Sequence, residues 1–177
     1  MLIAAGADLE LPASDGPTPL YIAAQNGQLA CVRELLAAGA KADAVKEDGW
    51  TPAHIASQRG HAECLHALIA AGADLELPTS VGCTPLHIAA QFGQLACVHE
   101  LLAAGAKVDA AEKCGFTPAH AASVRGHADC LRALIAAGAD LTKEVRTPDG
   151  RTWTCLQVAG DEGRHSWVQL RTAAARR

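Results

Sequence analysis

A step of 33 residues governs this chain. Thr-Pro recurs at Thr18-Pro19, Thr51-Pro52, Thr84-Pro85 and Thr117-Pro118, and two glycine series run in phase with it: Gly27, Gly60, Gly93 and Gly126, then Gly39, Gly72, Gly105 and Gly138. A period of this length means stacked copies of one small unit, and missing it would misassign the whole fold. Each landmark has a local physical meaning. Threonine accepts a hydrogen bond from an orphan N–H at a helix start, and proline fits the first helical turn, where no N–H is needed. A short helix therefore starts at each Thr-Pro and ends near the first glycine. Leu29, Val32, Leu35 and Leu36 then share one side of a 3.6-residue period, which predicts a second amphipathic helix over about residues 28 to 38. Gly39 permits the left-handed turn that stops it. Too few residues remain before the next Thr-Pro for another helix. The unit reads as helix, turn, helix, extended loop.

Two short helices expose an apolar face that they cannot cover alone, so the units must stack, each burying the flank of the next. Composition agrees: 50% of the 177 residues are hydrophobic and only 3% aromatic, which suits thin, closely packed helices. The segments TPLHIAA at 84 to 90 and GQLACVHELLAAGA at 93 to 106 resemble the ankyrin repeat, and the likeness in period, motif and phase covers about residues 2 to 141. The expected fold class is all-α: an ankyrin-type solenoid of helix-turn-helix units joined by short extended loops or hairpins.

The expected divisions are a partial repeat over 1–14, full repeats over 15–47, 48–80, 81–113 and 114–146, a degenerate C-terminal capping repeat over 147–172, and a frayed basic tail over 173–177. Residues 2 to 12 (LIAAGADLELP) are identical to 68 to 78, so the first unit lacks its first helix and the array reads as beginning mid-repeat. That is expected of a fragment of a larger protein, such as an enzyme or channel, in which the repeats recruit or regulate. In the last unit TCLQVAG at 154 to 160 comes four residues late, and Trp167, Arg171 and Thr172 replace the usual residues of the second helix, as a polar terminal cap requires.

A longer period of 66 gives an internal comparison. Residues 28 to 41 and 94 to 107 differ at one position in fourteen, whereas 42 to 50 and 108 to 116 differ at six of nine, among them Lys46/Glu112, Glu47/Lys113, Asp48/Cys114 and Trp50/Phe116. Variation is concentrated in the loops. The resemblance implies a concave face, built of loops and first helices, that grips a protein partner. Its candidate residues are Glu47, Asp48, Trp50, Gln58, Arg59, Val81, Cys83, Gln91, Phe92, Lys113, Cys114, Phe116 and Arg125. Trp50, Phe92 and Phe116 are the expected anchors, being large rings in a chain poor in them.

Other functions are disfavoured. A net charge of −4, from 15 basic and 19 acidic residues, offers no basic stripe for nucleic acid. No apolar run approaches the ~18 residues of a membrane span. His54, His87 and His120 stand at the fourth place of the Thr-Pro motif, where the resemblance implies hydrogen bonds within the turn and to the next repeat. Histidines one unit apart lie about 8–10 Å from each other, too far to share one metal ion. Cys31, Cys64, Cys97 and Cys130 form a ladder too widely spaced for disulfides and are expected to be buried fillers, whereas Cys83 and Cys114 are expected to be exposed loop thiols. His61 with Cys64, and His127 with Cys130, are set aside as zinc half-sites because the Gly-His pair is ordinary sequence in the resembled family. At the loop position where ankyrin repeats often carry a hydroxylated asparagine stand Asp43, Glu76, Asp109 and Thr142, so that modification is not expected. Phosphate-loop, serine-elbow and zinc-protease motifs are absent. The expectations are a non-enzymatic interaction module, with no cofactor or metal, monomeric and cytoplasmic or nuclear, as seven cysteines without a CxxC pair suggest.

Overall fold

The computed structural model of the chain describes residues 9–10, 16–46, 48–146, 152–155 and 157. Among the described residues four helix pairs follow one another: α1 (Pro19–Gln25) with α2 (Leu29–Ala37), α3 (Pro52–Arg59) with α4 (Ala62–Ala70), α5 (Pro85–Gln91) with α6 (Leu95–Ala103), and α7 (Pro118–Arg125) with α8 (Ala128–Ala136). The first helices pack in the row α1–α3–α5–α7 and the second in the row α2–α4–α6–α8. The fold is an all-α solenoid of helix-turn-helix units.

Each first helix begins as its sequence dictates. The Thr18, Thr51, Thr84 and Thr117 hydroxyls accept from the backbone N–H of Tyr21, His54, His87 and His120, and proline occupies the first turn. Alanine sets the spacing of the row: Ala24, Ala53, Ala56, Ala89, Ala90, Ala119 and Ala122 are wholly buried, so neighbouring backbones approach closely. Leu20 and Leu86 from the first helices, with Val32, Leu65, Leu68, Val98, Leu101 and Leu134 from the second, fill the space between the two rows. This continuous core replaces the single centre of a globular domain.

Polar stitches repeat with the same step. The carboxylates of Glu10, Asp43, Glu76 and Asp109 accept from the backbone N–H of Lys41, Asp74, Lys107 and Asp140, in each case 31 residues on. Asp43, Glu76 and Asp109 thus serve as bridges between successive units. At the starts of α4, α6 and α8, His61, Gln94 and His127 donate back to the carbonyls of Gln25, Gln58 and Gln91 in the preceding unit. His61 and His127 are occupied in this way as inter-unit donors.

After α8 come two short antiparallel strands, β1 (Glu144–Arg146) and β2 (Thr152–Thr154), paired with Val145 opposite Trp153. The late Thr154 still makes the turn of the earlier units: its hydroxyl accepts from the N–H of Gln157, whose side-chain oxygen accepts from the N–H of Thr154. Cys155 behind it is buried, its Sγ 2.8 Å from Ser123 Oγ. Trp167, Arg171 and Thr172 lie outside the described residues.

One ladder expectation needs correction. Cys64, Cys97 and Cys130 are buried, but Cys31 is exposed. The Cys97 thiol shows why, since it points back to Ala56 O in the preceding first helix. Burial at this position depends on a preceding helix pair, and among the described residues none precedes α1 and α2.

Candidate partner-binding face

Each loop between helix pairs closes on itself. Lys46, Thr79 and Glu112 donate their N–H to the carbonyls of Trp50, Cys83 and Phe116, each at 2.9 Å. The tips then stack along the solenoid, with Ser80 N–H on Asp48 O at 2.8 Å and Lys113 N–H on Val81 O at 3.2 Å. These bonds leave Asp48 and Lys113 exposed at the tips and Val81 and Cys114 half-buried beside them.

The far edge comes from the ends of the first helices. Arg59, Phe92 and Arg125 occupy one position in successive units, and all three are exposed, Phe92 at 42% of its surface. Gln58 and Gln91, one residue earlier, are half-buried. Asp48 and Arg59 both act on Tyr21: burial pushes its phenol up, Arg59 opposes the shift and Asp48 adds to it. Tip and helix end of one unit thus converge on the first helix of the unit before.

Trp50, Cys83 and Phe116, each just before a Thr-Pro, turn inward instead. The Trp50 ring is half-buried, its centroid 5.8 Å from that of His54. Phe116 is only 5% exposed, packed edge-on to His120 and clustered with Val124, Val145 and Trp153. Its proposed role as an anchor is therefore corrected: it closes the contact between α7 and the C-terminal strands. Cys83 is likewise no loop thiol open to solvent. It is 1% exposed, its N–H donates to Thr79 Oγ1 and its Sγ donates to Glu112 Oε2 at 3.3 Å. Glu47 lies outside the described residues.

The motif histidines are internal hinges of the stack. His54 Nε2 donates to Cys83 O while Nδ1 accepts from the Thr51 N–H, and burial lowers the His54 pKa to about 4. His120 repeats the arrangement with Thr117 and Lys143 O, and burial lowers its pKa as well. His87 stands elsewhere chemically. With Cys83 and Glu112 it places three buried ligand-type atoms within 4.8 Å of one another. Sequence reading did not assemble this trio, because Cys83 and Glu112 stand 29 residues apart at opposite ends of one repeat; the Lys46/Glu112 difference between the copies was its signal. Sequence reading also passed over Val45, a loop side chain 62% exposed.

Comparison with protein families gives three overlapping matches to the model described as ankyrin repeats (3 copies), at residues 1–79, 35–112 and 86–170. Comparison with curated proteins finds none that matches the chain. Among the described residues no helix is long and apolar enough to cross a membrane.

Proposed function

The chain belongs to the ankyrin-repeat family, whose repeats generally serve as protein–protein interaction modules, and from that premise we propose that it is a non-enzymatic adaptor or scaffold gripping a protein partner through its loop tips and first-helix ends. The observation that carries this reading is Phe92, an exposed ring with an exposed arginine one unit away on either side. A folded chain gains nothing from holding a large apolar ring in water, whereas an aromatic anchor with guanidinium neighbours is the composition of an interface hot spot. The partner this row fits presents an apolar recess bordered by acidic groups. Trp50, Gln58, Gln91, Val81 and Cys114 supply the half-buried rim, and Asp48 and Lys113 the charged tips. Four helix pairs offer room for an interface of about 800 Å² per partner. The module acts as a monomer, and its free cysteines suit the reducing cytoplasm or nucleus.

The test is capture of partners from lysate of the source cells by the wild-type chain and by an Arg59→Ala, Phe92→Ala, Arg125→Ala variant of matching circular dichroism. A partner held by the first and lost by the second supports the reading. Equal capture by both chains removes this row from the interface.

A further inference from the structure

The contact between the fourth helix pair and the C-terminal strands is closed by an apolar plug of Phe116, Val124 and Val145. One unit earlier, 33 residues back, the same three positions hold Cys83, Gln91 and Glu112. Where the other contact buries hydrocarbon, this one buries a thiol and a carboxyl group, with the His87 ring beside them. Cys83, His87 and Glu112 are respectively 1%, 0% and 7% exposed. Three side chains of metal-ligand type thus gather in a buried place where the next contact holds phenylalanine and valine.

We propose that Cys83, His87 and Glu112 form a zinc-binding site that clasps the loop of the third helix pair to that of the fourth. The donors are one sulfur, one nitrogen and one oxygen, the set that borderline-soft zinc accepts. Charge closes as well: thiolate and carboxylate together neutralise the dication, and neutral imidazole adds nothing. Ligand atoms about a tetrahedral zinc lie roughly 3.3–3.8 Å apart, given bonds of about 2.0–2.3 Å. The Cys83 Sγ to Glu112 Oε2 distance is already 3.3 Å, and all three donors lie within 4.8 Å. Binding forms a zinc–sulfur bond and breaks the S–H bond, the proton passing to solvent, with water in the fourth position. Lys113 N–H on Val81 O holds the two tips in register beside the site. A metal there rigidifies the half of the face that carries Val81, Phe92 and Lys113, independently of which partner binds.

The full-length chain, stripped with a chelator, is titrated with zinc against a chromophoric competitor and with cobalt(II), whose thiolate bond gives a near-ultraviolet charge-transfer band. The expected result is one equivalent per chain with that band present. Cys83→Ser abolishes the band, and the near-isosteric Glu112→Gln, folded by circular dichroism, lowers affinity at least about tenfold, since loss of even an outer partner of a ligand costs that much. Cys31→Ser and Cys114→Ser, which remove the more accessible thiols, leave both readouts unchanged. Absence of the band in wild type, its survival in Cys83→Ser, or unchanged zinc affinity in Glu112→Gln overturns the proposal. Because these readouts need no partner, they stand apart from the capture experiment.

Discussion

The imidazole of His54 reaches 3.0 Å to the backbone carbonyl of Cys83, 29 residues ahead and one unit away, while its other nitrogen accepts from the N–H of Thr51. Only the neutral ring with its proton on Nε2 makes both bonds. The interaction therefore joins helix capping, stacking and protonation in one side chain.

Acid should loosen the solenoid through this ring. The folded chain holds the His54 pKa at about 4 against an ordinary 6.5, so below 6.5 the unfolded chain binds the proton that the folded one refuses. Its contribution is intact above pH 6.5, is lost as pH falls, and levels off near 4, a fall on the order of 3 kcal/mol. His120 acts in the same direction. His54→Gln keeps the cap, because Gln157 makes it with Thr154. Urea midpoints measured across this range should vary less with pH in that variant; an unchanged slope would remove His54 as the cause.

The same leucine should matter differently along the array. Leu101→Ala, at a wholly buried site, is expected to cost about 2–5 kcal/mol. Leu35, 66 residues earlier in the equivalent place, is only half-buried, and its truncation should cost clearly less. Denaturant unfolding of both variants gives the comparison.

Two equivalent loop glycines should also separate. Gly82 has φ +92°, and a Cβ there would lie 2.8 Å from Lys113 N; Gly115 has φ +86° with nothing within 4 Å. Gly115→Ala should show only the conformational cost of about 1–2 kcal/mol. Gly82→Ala should exceed it, because the contact is with backbone that must shift. Equal losses in thermal stability would mean that the stacked tips yield freely.

Thiol chemistry should read the stack from one end. Cys31 is exposed and should react first with a disulfide reagent, followed by half-buried Cys114. Cys64, Cys83, Cys97, Cys130 and Cys155 are buried and should react only on unfolding. Burial pushes Cys97 up to about 12 and raises Cys64, Cys130 and Cys155. Cys31→Ser should delete the fastest phase, followed by mass spectrometry; persistence of that phase would place the reactive thiol elsewhere.

The helices were legible because their signals are local: a threonine, a proline and an apolar period suffice for α1 through α8. The late Thr154 was legible for the same reason, and Gln157 caps it as His54 caps Thr51. The loops were less so. Phe116 and Cys83 precede Thr-Pro, and nothing local says whether that side chain meets water or the next loop; Val145 and Glu112, 29 residues further on in each case, decide it. Cys31 looked like Cys97 because their helices are nearly identical, yet burial there is conferred by a neighbour and not by the helix itself.

The inter-unit stitches have one further consequence. His54 to Cys83, Asp43 to Asp74, Gln94 to Gln58 and Cys97 to Ala56 span 29, 31, 36 and 41 residues, so each is complete within little more than one unit of chain. A ribosome delivering this polypeptide would release each helix pair only briefly before the segment that secures it emerges. Assembly can follow synthesis from front to back, with short-lived exposure of apolar surface at the growing end and little dependence on residues still to be translated.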